Sequence, residues 1–206
     1  MTPDEFMALT NVSRETRSRL EAYLELIQRW QRAINLVGPA TLNDPWRRHF
    51  LDSAQLIRHM PPDPVMIYDL GSGAGLPGLV LAIMGRSGIN LVESDQRKAQ
   101  FQREVVRSLD LQVTIHVQRI ETLSSECADV ITARALAPVS RLLDLAKPLL
   151  RPNAICLFLK GRNVSDELTE ARKCWRMSVD SYPSLSEPSG TMLKLWDIGR
   201  APLYRQ

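Results

Sequence analysis

Four glycines fall between positions 71 and 78 of this chain, in the run Asp69-Leu70-Gly71-Ser72-Gly73-Ala74-Gly75-Leu76-Pro77-Gly78, directly after the apolar segment Val65-Met66-Ile67-Tyr68. Glycine takes positive φ angles freely and lets backbone approach a bound molecule with no Cβ in the way. A strand-like run, a glycine-rich turn and an apolar helix-like run, in that order, predict a strand–loop–helix unit with the loop at a nucleotide-type ligand.

Two ligands compete for such a loop. The frame Gly73-Ala74-Gly75-Leu76-Pro77-Gly78 fits G-x-G-x-x-G, in which a pyrophosphate rests on a helix N-terminus. The frame Asp69-x-Gly71-x-Gly73-x-Gly75 instead resembles the first motif of the S-adenosylmethionine-dependent methyltransferases. Charge separates the two, because a carboxylate at the strand end would repel a pyrophosphate by on the order of 1 kcal/mol or more at close range. S-adenosylmethionine carries an ammonium and a sulfonium and no phosphate, so Asp69 is expected to help hold it.

The bulk of the chain suits one α/β domain with an appendage. Its 206 residues, 44% of them hydrophobic, can bury a full core. No apolar run approaches ~18 residues, which argues against a transmembrane helix. Met1 to Thr10 carries Asp4 and Glu5 and does not read as a signal peptide. Cys127, Cys156 and Cys174 are odd in number and form no C-x-x-C pair. That argues against a disulfide framework or a metal site and suits a reducing cytoplasm, with all three as small core residues. Residues 134–176 hold nine Lys/Arg against four Asp/Glu within a net charge of only +3. This bias permits a polyanionic partner such as RNA, although charge alone reads rather as a solvated surface.

Along the chain, Ser13 is placed to cap an amphipathic helix over 13–34 with Leu20, Tyr23, Leu24, Ile27, Trp30 and Ile34 on one face. Asp44 and Pro45 open a second helix running towards His59. Met60-Pro61-Pro62-Asp63-Pro64 stops it. Residues 1–62 thus read as a helical extension and 63–206 as the ligand-binding domain. In the latter, strands at 65–69, 88–93, 112–118, 128–132 and 154–160 alternate with helices at 76–85, 95–109, 138–147 and 164–173. Late strands near 175–181 and 191–198 flank a Pro- and Ser-rich turn and pair as a hairpin. The fold class expected is α/β: a doubly wound, mostly parallel Rossmann-like sheet with an antiparallel C-terminal hairpin.

Ligands of such sheets bind beyond the carboxyl ends of the strands. Glu93 ends the second strand at the spacing from the first glycines expected of a ribose-binding acid. Arg119-Ile120-Glu121 closes the third strand, where an adenine ring would be contacted. Thr132-Ala133-Arg134-Ala135 ends the fourth, where an arginine can hold a phosphate, stack on a base or clamp a carboxylate. Arg103 and Arg107 form a solvated helix face. His59 and His116 are structural, whereas His49 either contacts RNA and shapes a lid or lines the core.

These stretches resemble the glucose-inhibited division protein B family, the bacterial 16S ribosomal RNA guanine-N7 methyltransferases. The matching segments are Ile34-Asn35-Leu36, Arg48-His49-Phe50-Leu51-Asp52-Ser53, the glycine loop with its Leu76-Pro77-Gly78, Glu93-Ser94, Thr132-Ala133-Arg134-Ala135-Leu136-Ala137 and Leu159-Lys160-Gly161. The resemblance implies a class I methyltransferase using S-adenosyl-L-methionine, with contacts at Gly71, Leu76, Ile120, Glu121 and Arg134 and Glu93 at the ribose. Asp69 and Gly73 belong to the same loop. Two departures are visible: the family usually has Asp at Glu93 and Lys-Arg at Arg97-Lys98.

Guanine N7 presents a lone pair and no proton, so no general base is needed and no catalytic residue is assigned beyond positioning, in which Arg134 is the candidate. RNA phosphates would meet Arg47, Arg48, His49, Arg119, Lys160 and Arg162, with 16S rRNA or a small-subunit particle as partner and no membrane. The chain is expected to act as a cytoplasmic monomer. Competing readings are a methyltransferase for another RNA position or a small molecule, a nicotinamide-dependent oxidoreductase, and an RNA-binding protein without catalysis.

Overall fold

The computed structural model describes residues 1–63, 65–124 and 127–202, so Pro64 of the proline-rich stop lies outside the described residues. Seven strands form one sheet: β1 (Ile67–Leu70), β2 (Ile89–Val92), β3 (Val113–His116), β4 (Ala128–Arg134), β5 (Leu150–Lys160), β6 (Trp175–Pro183) and β7 (Thr191–Arg200). Their order is β3-β2-β1-β4-β5-β7-β6, with β7 antiparallel to both neighbours and the other pairings parallel. The doubly wound sheet and the C-terminal hairpin are therefore as expected, and β7 inserts between β5 and β6.

The helices are α1 (Pro3–Thr10), α2 (Arg14–Trp30), α3 (Asp52–Ala54), α4 (Gly78–Ile83), α5 (Gln96–Ser108), α6 (Val139–Ala146) and α7 (Val164–Arg172). Helix α1 has no counterpart in the sequence reading, although Thr2 and Glu5 form a reciprocal capping box and Pro3 sits in the first turn. Ser13 caps α2 as expected, its hydroxyl accepting from Thr16 N. That helix ends at Trp30, short of Ile34. The Gln31 side chain accepts from Leu36 N and Val37 N and donates to Val37 O, which folds the chain back.

The helix opened by Asp44 is irregular: a π turn over Trp46–Leu51 continues through α3 into a 3-10 turn, Gln55–His59. The wider turn buries His49, Phe50 and Leu51 in succession, and such turns recur at functional sites.

Helices α1, α2, α4 and α5 share one core with the face of the sheet they cover, while α6 and α7 cover the other face. Tyr23 lies between Phe50 and Phe101, with ring centroids 5.9 and 6.3 Å away. Each fully buried aromatic or leucine contributes roughly 1.5–3 kcal/mol. Of the cysteines only Cys156 is a core residue, where burial pushes its thiol up; Cys127 is half-buried and Cys174 exposed.

Candidate active site

Strand order reverses between β1 and β4, and register brings Leu70 level with Val92 on one side and Ala133 on the other. The glycine loop, Glu93, Arg134 and Lys160 therefore all leave the sheet at its carboxyl edge, the ligand-binding end of such folds. Gly71, Gly73 and Gly75 have φ of 62°, 56° and 82°. The loop is clamped on all sides. Glu93 accepts from Gly73 N at 2.8 Å and from Asp95 N at 2.8 Å. Gln102 donates to Ser72 Oγ and Gly73 O, both at 2.8 Å. The Tyr23 hydroxyl donates to Ala74 O.

Asp69 is placed differently from the sequence expectation. Its carboxylate is fully buried beneath the loop, with Oδ2 accepting from Gly78 N at 3.0 Å and Oδ1 from Thr132 Oγ1 at 2.9 Å. Burial raises it to about 7 against these hydrogen bonds. It joins loop, helix α4 and strand β4 and lines neither of the cavities described next. Asp69 therefore repels a pyrophosphate less than expected from the sequence, since a buried acid near 7 is half protonated at neutral pH.

Two adjoining cavities open over this edge. One, of about 410 Å³, is lined by Glu93, Arg119, Ile120 and Glu121 among others. The other, of about 740 Å³, is lined by Leu36, Thr41, Arg48, His49, Asp52, Leu76, Arg134 and Glu187 among others. Gly71, Gly73, Lys98 and residues 135–137 line both. Leu136, 36% exposed, stands between the two: a Cβ on Gly71 would meet its Cδ1 at 2.6 Å. Ala135 turns the chain there with φ of 52°.

Arg134 joins strand β4 to the N-terminal segment. Its Nη1 donates to Arg48 O and His49 Nδ1, both at 3.2 Å, and pairs with Asp52 Oδ2 at 3.4 Å. With Nδ1 accepting, His49 Nε2 carries the proton and donates to Thr41 Oγ1 at 2.9 Å, and Thr41 donates on to Gly38 O. Burial, then the Arg134 and Arg48 charges, lower His49 to about 3, so the ring is neutral.

Of the residues expected at RNA, two are placed otherwise. His49 is buried in this relay. Lys160 is 8% exposed and held by Glu167 Oε2 at 2.6 Å and Ala137 O at 2.8 Å. A buried, paired ammonium cannot reach a phosphate without breaking that pair. Arg47 pairs with Asp44, Arg48 with Glu187, and Arg119 and Arg162 are exposed. Glu121 is exposed and pairs with Arg141.

The turn 184–190 falls where the sequence places it, but its role in the site was not legible there. It docks on the N-terminal segment through Ser186 Oγ donating to Asp52 Oδ1 at 2.5 Å and Leu185 N donating to Gln55 Oε1 at 2.9 Å. No local signal could announce contacts across 130 and 134 positions.

Residues 16–192 match the family model described as GidB, rRNA small subunit methyltransferase G. The Ribosomal RNA small subunit methyltransferase G of Rhodospirillum rubrum is 52% identical over 201 residues, 98% of this chain and 100% of that one. That of Paramagnetospirillum magneticum is 50% identical over 200 residues, 97% and 98% of the two chains. The chain belongs to the rRNA small subunit methyltransferase G family. Among solved structures, a SAM dependent methyltransferase from Aquifex aeolicus superposes with TM-score 0.58 at 16% identity, over 76% of this chain and 95% of that one. The ribosomal protein L11 methylase of Lactobacillus delbrueckii subsp. bulgaricus gives 0.58 at 13%, over 73% and 77%. Those likenesses are of fold. The family member described here is thus an enzyme, a methyltransferase.

The donor set suits S-adenosyl-L-methionine. Glu93 retains lone pairs for a ribose diol, Arg134 and Lys98 are cations for a carboxylate, and Gly71 and Gly73 leave backbone bare beside both cavities.

Proposed function

We propose that this protein transfers the methyl group of S-adenosyl-L-methionine to N7 of a guanine in 16S rRNA of the small ribosomal subunit, acting as a monomer in the bacterial cytoplasm. Family membership supports the rRNA substrate. The observation in keeping with that regiochemistry is that His49, Asp52 and Glu167 of the larger cavity are each engaged by the protein itself, while its remaining carboxylate, Glu187, pairs with Arg48. His49 is neutral, lowered to about 3, and hydrogen-bonded at both ring nitrogens. Asp52 is occupied by Ser186, Gln55 and Arg134, and Glu167 by Lys160 and Val139 N. Methylation of an amine, hydroxyl or ring carbon releases a proton, whereas N7 gains a methyl and loses none.

In this reading residues 63–206 form the catalytic domain and 1–62 an extension that completes its larger cavity. Gly71, Gly73, Leu76, Glu93, Ile120, Glu121 and Arg134 hold the cofactor across the two cavities, and Asp69 shapes the loop from beneath. Arg47, Arg48, Arg119 and Arg162 meet RNA phosphates. S-adenosyl-L-methionine supplies a methyl group on a cationic sulfur, and the protein's contribution is alignment of N7 with it.

Labelled methyl transfer to small-subunit RNA and particles tests the reading, with Gly73→Asp as control. Incorporation by wild type and none by the variant is expected; no incorporation by wild type into either substrate overturns it.

A further inference from the structure

Resting on that reading, we infer that Glu187 selects guanine at the acceptor site, its carboxylate accepting the N1–H and exocyclic N2–H of the base while Arg48 holds the adjoining phosphate. Guanine differs from adenine in presenting two neighbouring donors on that edge, and a carboxylate is the bidentate acceptor that matches them.

Three carboxylates line the larger cavity: Asp52, Glu167 and Glu187. Asp52 has both oxygens engaged, Oδ1 by Ser186 and Gln55 and Oδ2 by Arg134. Glu167 is fixed by Lys160 and Val139 N. Glu187 alone is held from outside, by Arg48 on Oε2 and a 3.3 Å contact from Ser189 on Oε1. The two side chains of that pair are 38% and 37% exposed. An ion pair so exposed is worth little and exchanges readily for other partners. The backbone carrying Glu187 is nonetheless anchored, through Ser186 to Asp52 and Leu185 to Gln55. A half-exposed carboxylate on an anchored turn, lining the cavity and held there only by Arg48 and Ser189, is what a base-reading group requires.

The same placement serves the chemistry. The sulfur–methyl bond breaks with its electron pair passing to sulfur, and the N7 lone pair forms the new bond. The positive charge passes from sulfur to the purine and no proton leaves. A carboxylate on the purine edge stabilises that arriving charge.

The test compares small-subunit particles carrying guanosine or inosine at the target. Inosine lacks the exocyclic amine and keeps N1–H and N7. Wild type should lose roughly ten- to hundredfold in kcat/KM on inosine, the range for one hydrogen bond to a charged acceptor. Glu187→Gln should lower guanosine activity by a similar factor and bring the guanosine-to-inosine ratio to near unity, with an unchanged unfolding midpoint. Arg48→Ala should weaken both substrates alike and keep the wild-type ratio. Equal wild-type activity on the two bases, a Glu187→Gln ratio equal to wild type, or a ratio lost in Arg48→Ala each overturns the assignment. Those outcomes leave methyl transfer to guanine intact; failure of wild type on guanosine itself would instead overturn the proposed function.

Discussion

Asp69 and His49 are shifted by burial in opposite senses, and the two shifts oppose one another in stability. Asp69 stands at about 7 in the fold against an ordinary 3.8. The folded state binds its proton more tightly, so its contribution is complete below 3.8 and lost as pH rises through 7. His49 stands at about 3 against 6.5. Its neutral ring stabilises above 6.5, and that contribution is lost as pH falls towards 3. Between 3.8 and 6.5 the slopes cancel, each at most about 1.4 kcal/mol per pH unit. Denaturant unfolding across that window should show Asp69→Asn losing stability with acid faster than wild type, and His49→Gln gaining relative to it. Slopes of the same sign in both variants would contradict the assignments. Gly78 is a second local constraint: a Cβ there would lie 2.3 Å from Leu91 Cδ2 and 3.2 Å from Asp69 Cβ. Gly78→Ala should therefore destabilise by about 1–3 kcal/mol, measured by the same unfolding experiment.

Elements differ in how far their local sequence announces them. Strand β1, the glycine loop, the Ser13 cap and the alternation through β5 were legible because their signals are short-range: period, cap and turn chemistry. Helix α1 had an equally local signal in Thr2, Pro3 and Glu5 that passed unread. The early end of α2 was not legible, since Gln31 acts on residues beyond the helix. Site residues followed the same division. Their position at the carboxyl edge followed from strand order, but whether a charge there faces solvent or a partner depends on distant packing. Lys160, at the end of β5, is neutralised by Glu167 of α7, and Arg162 two residues on is exposed. Lys160→Ala should lower stability by roughly 1–3 kcal/mol and leave the salt dependence of RNA binding unchanged. Arg162→Ala should leave stability within about 0.5 kcal/mol and reduce the log–log salt slope by about 1. The reverse pattern, read by unfolding and by binding at several salt concentrations, would return Lys160 to the RNA surface.

In the molecule as a whole, the sheet edge, the N-terminal segment and the C-terminal turn enclose one cavity, and methyl transfer to N7, on the proposed function, releases no proton for a base to take. Single-turnover methyl transfer should accordingly be flat between about pH 6 and 8, where a general base titrating in that range would impose a slope. Arg134 ties these parts together, bonding the N-terminal segment from the end of β4, which holds the sheet edge and that segment in one framework. On the proposed function, this framework delivers a methyl group to guanine N7 of small-subunit rRNA by alignment alone. Nucleoside mass analysis of small-subunit particles after reaction with isotopically labelled S-adenosyl-L-methionine tests it most directly. Label recovered solely as 7-methylguanosine is the result predicted; label in any other nucleoside, or none in the particle, would contradict it.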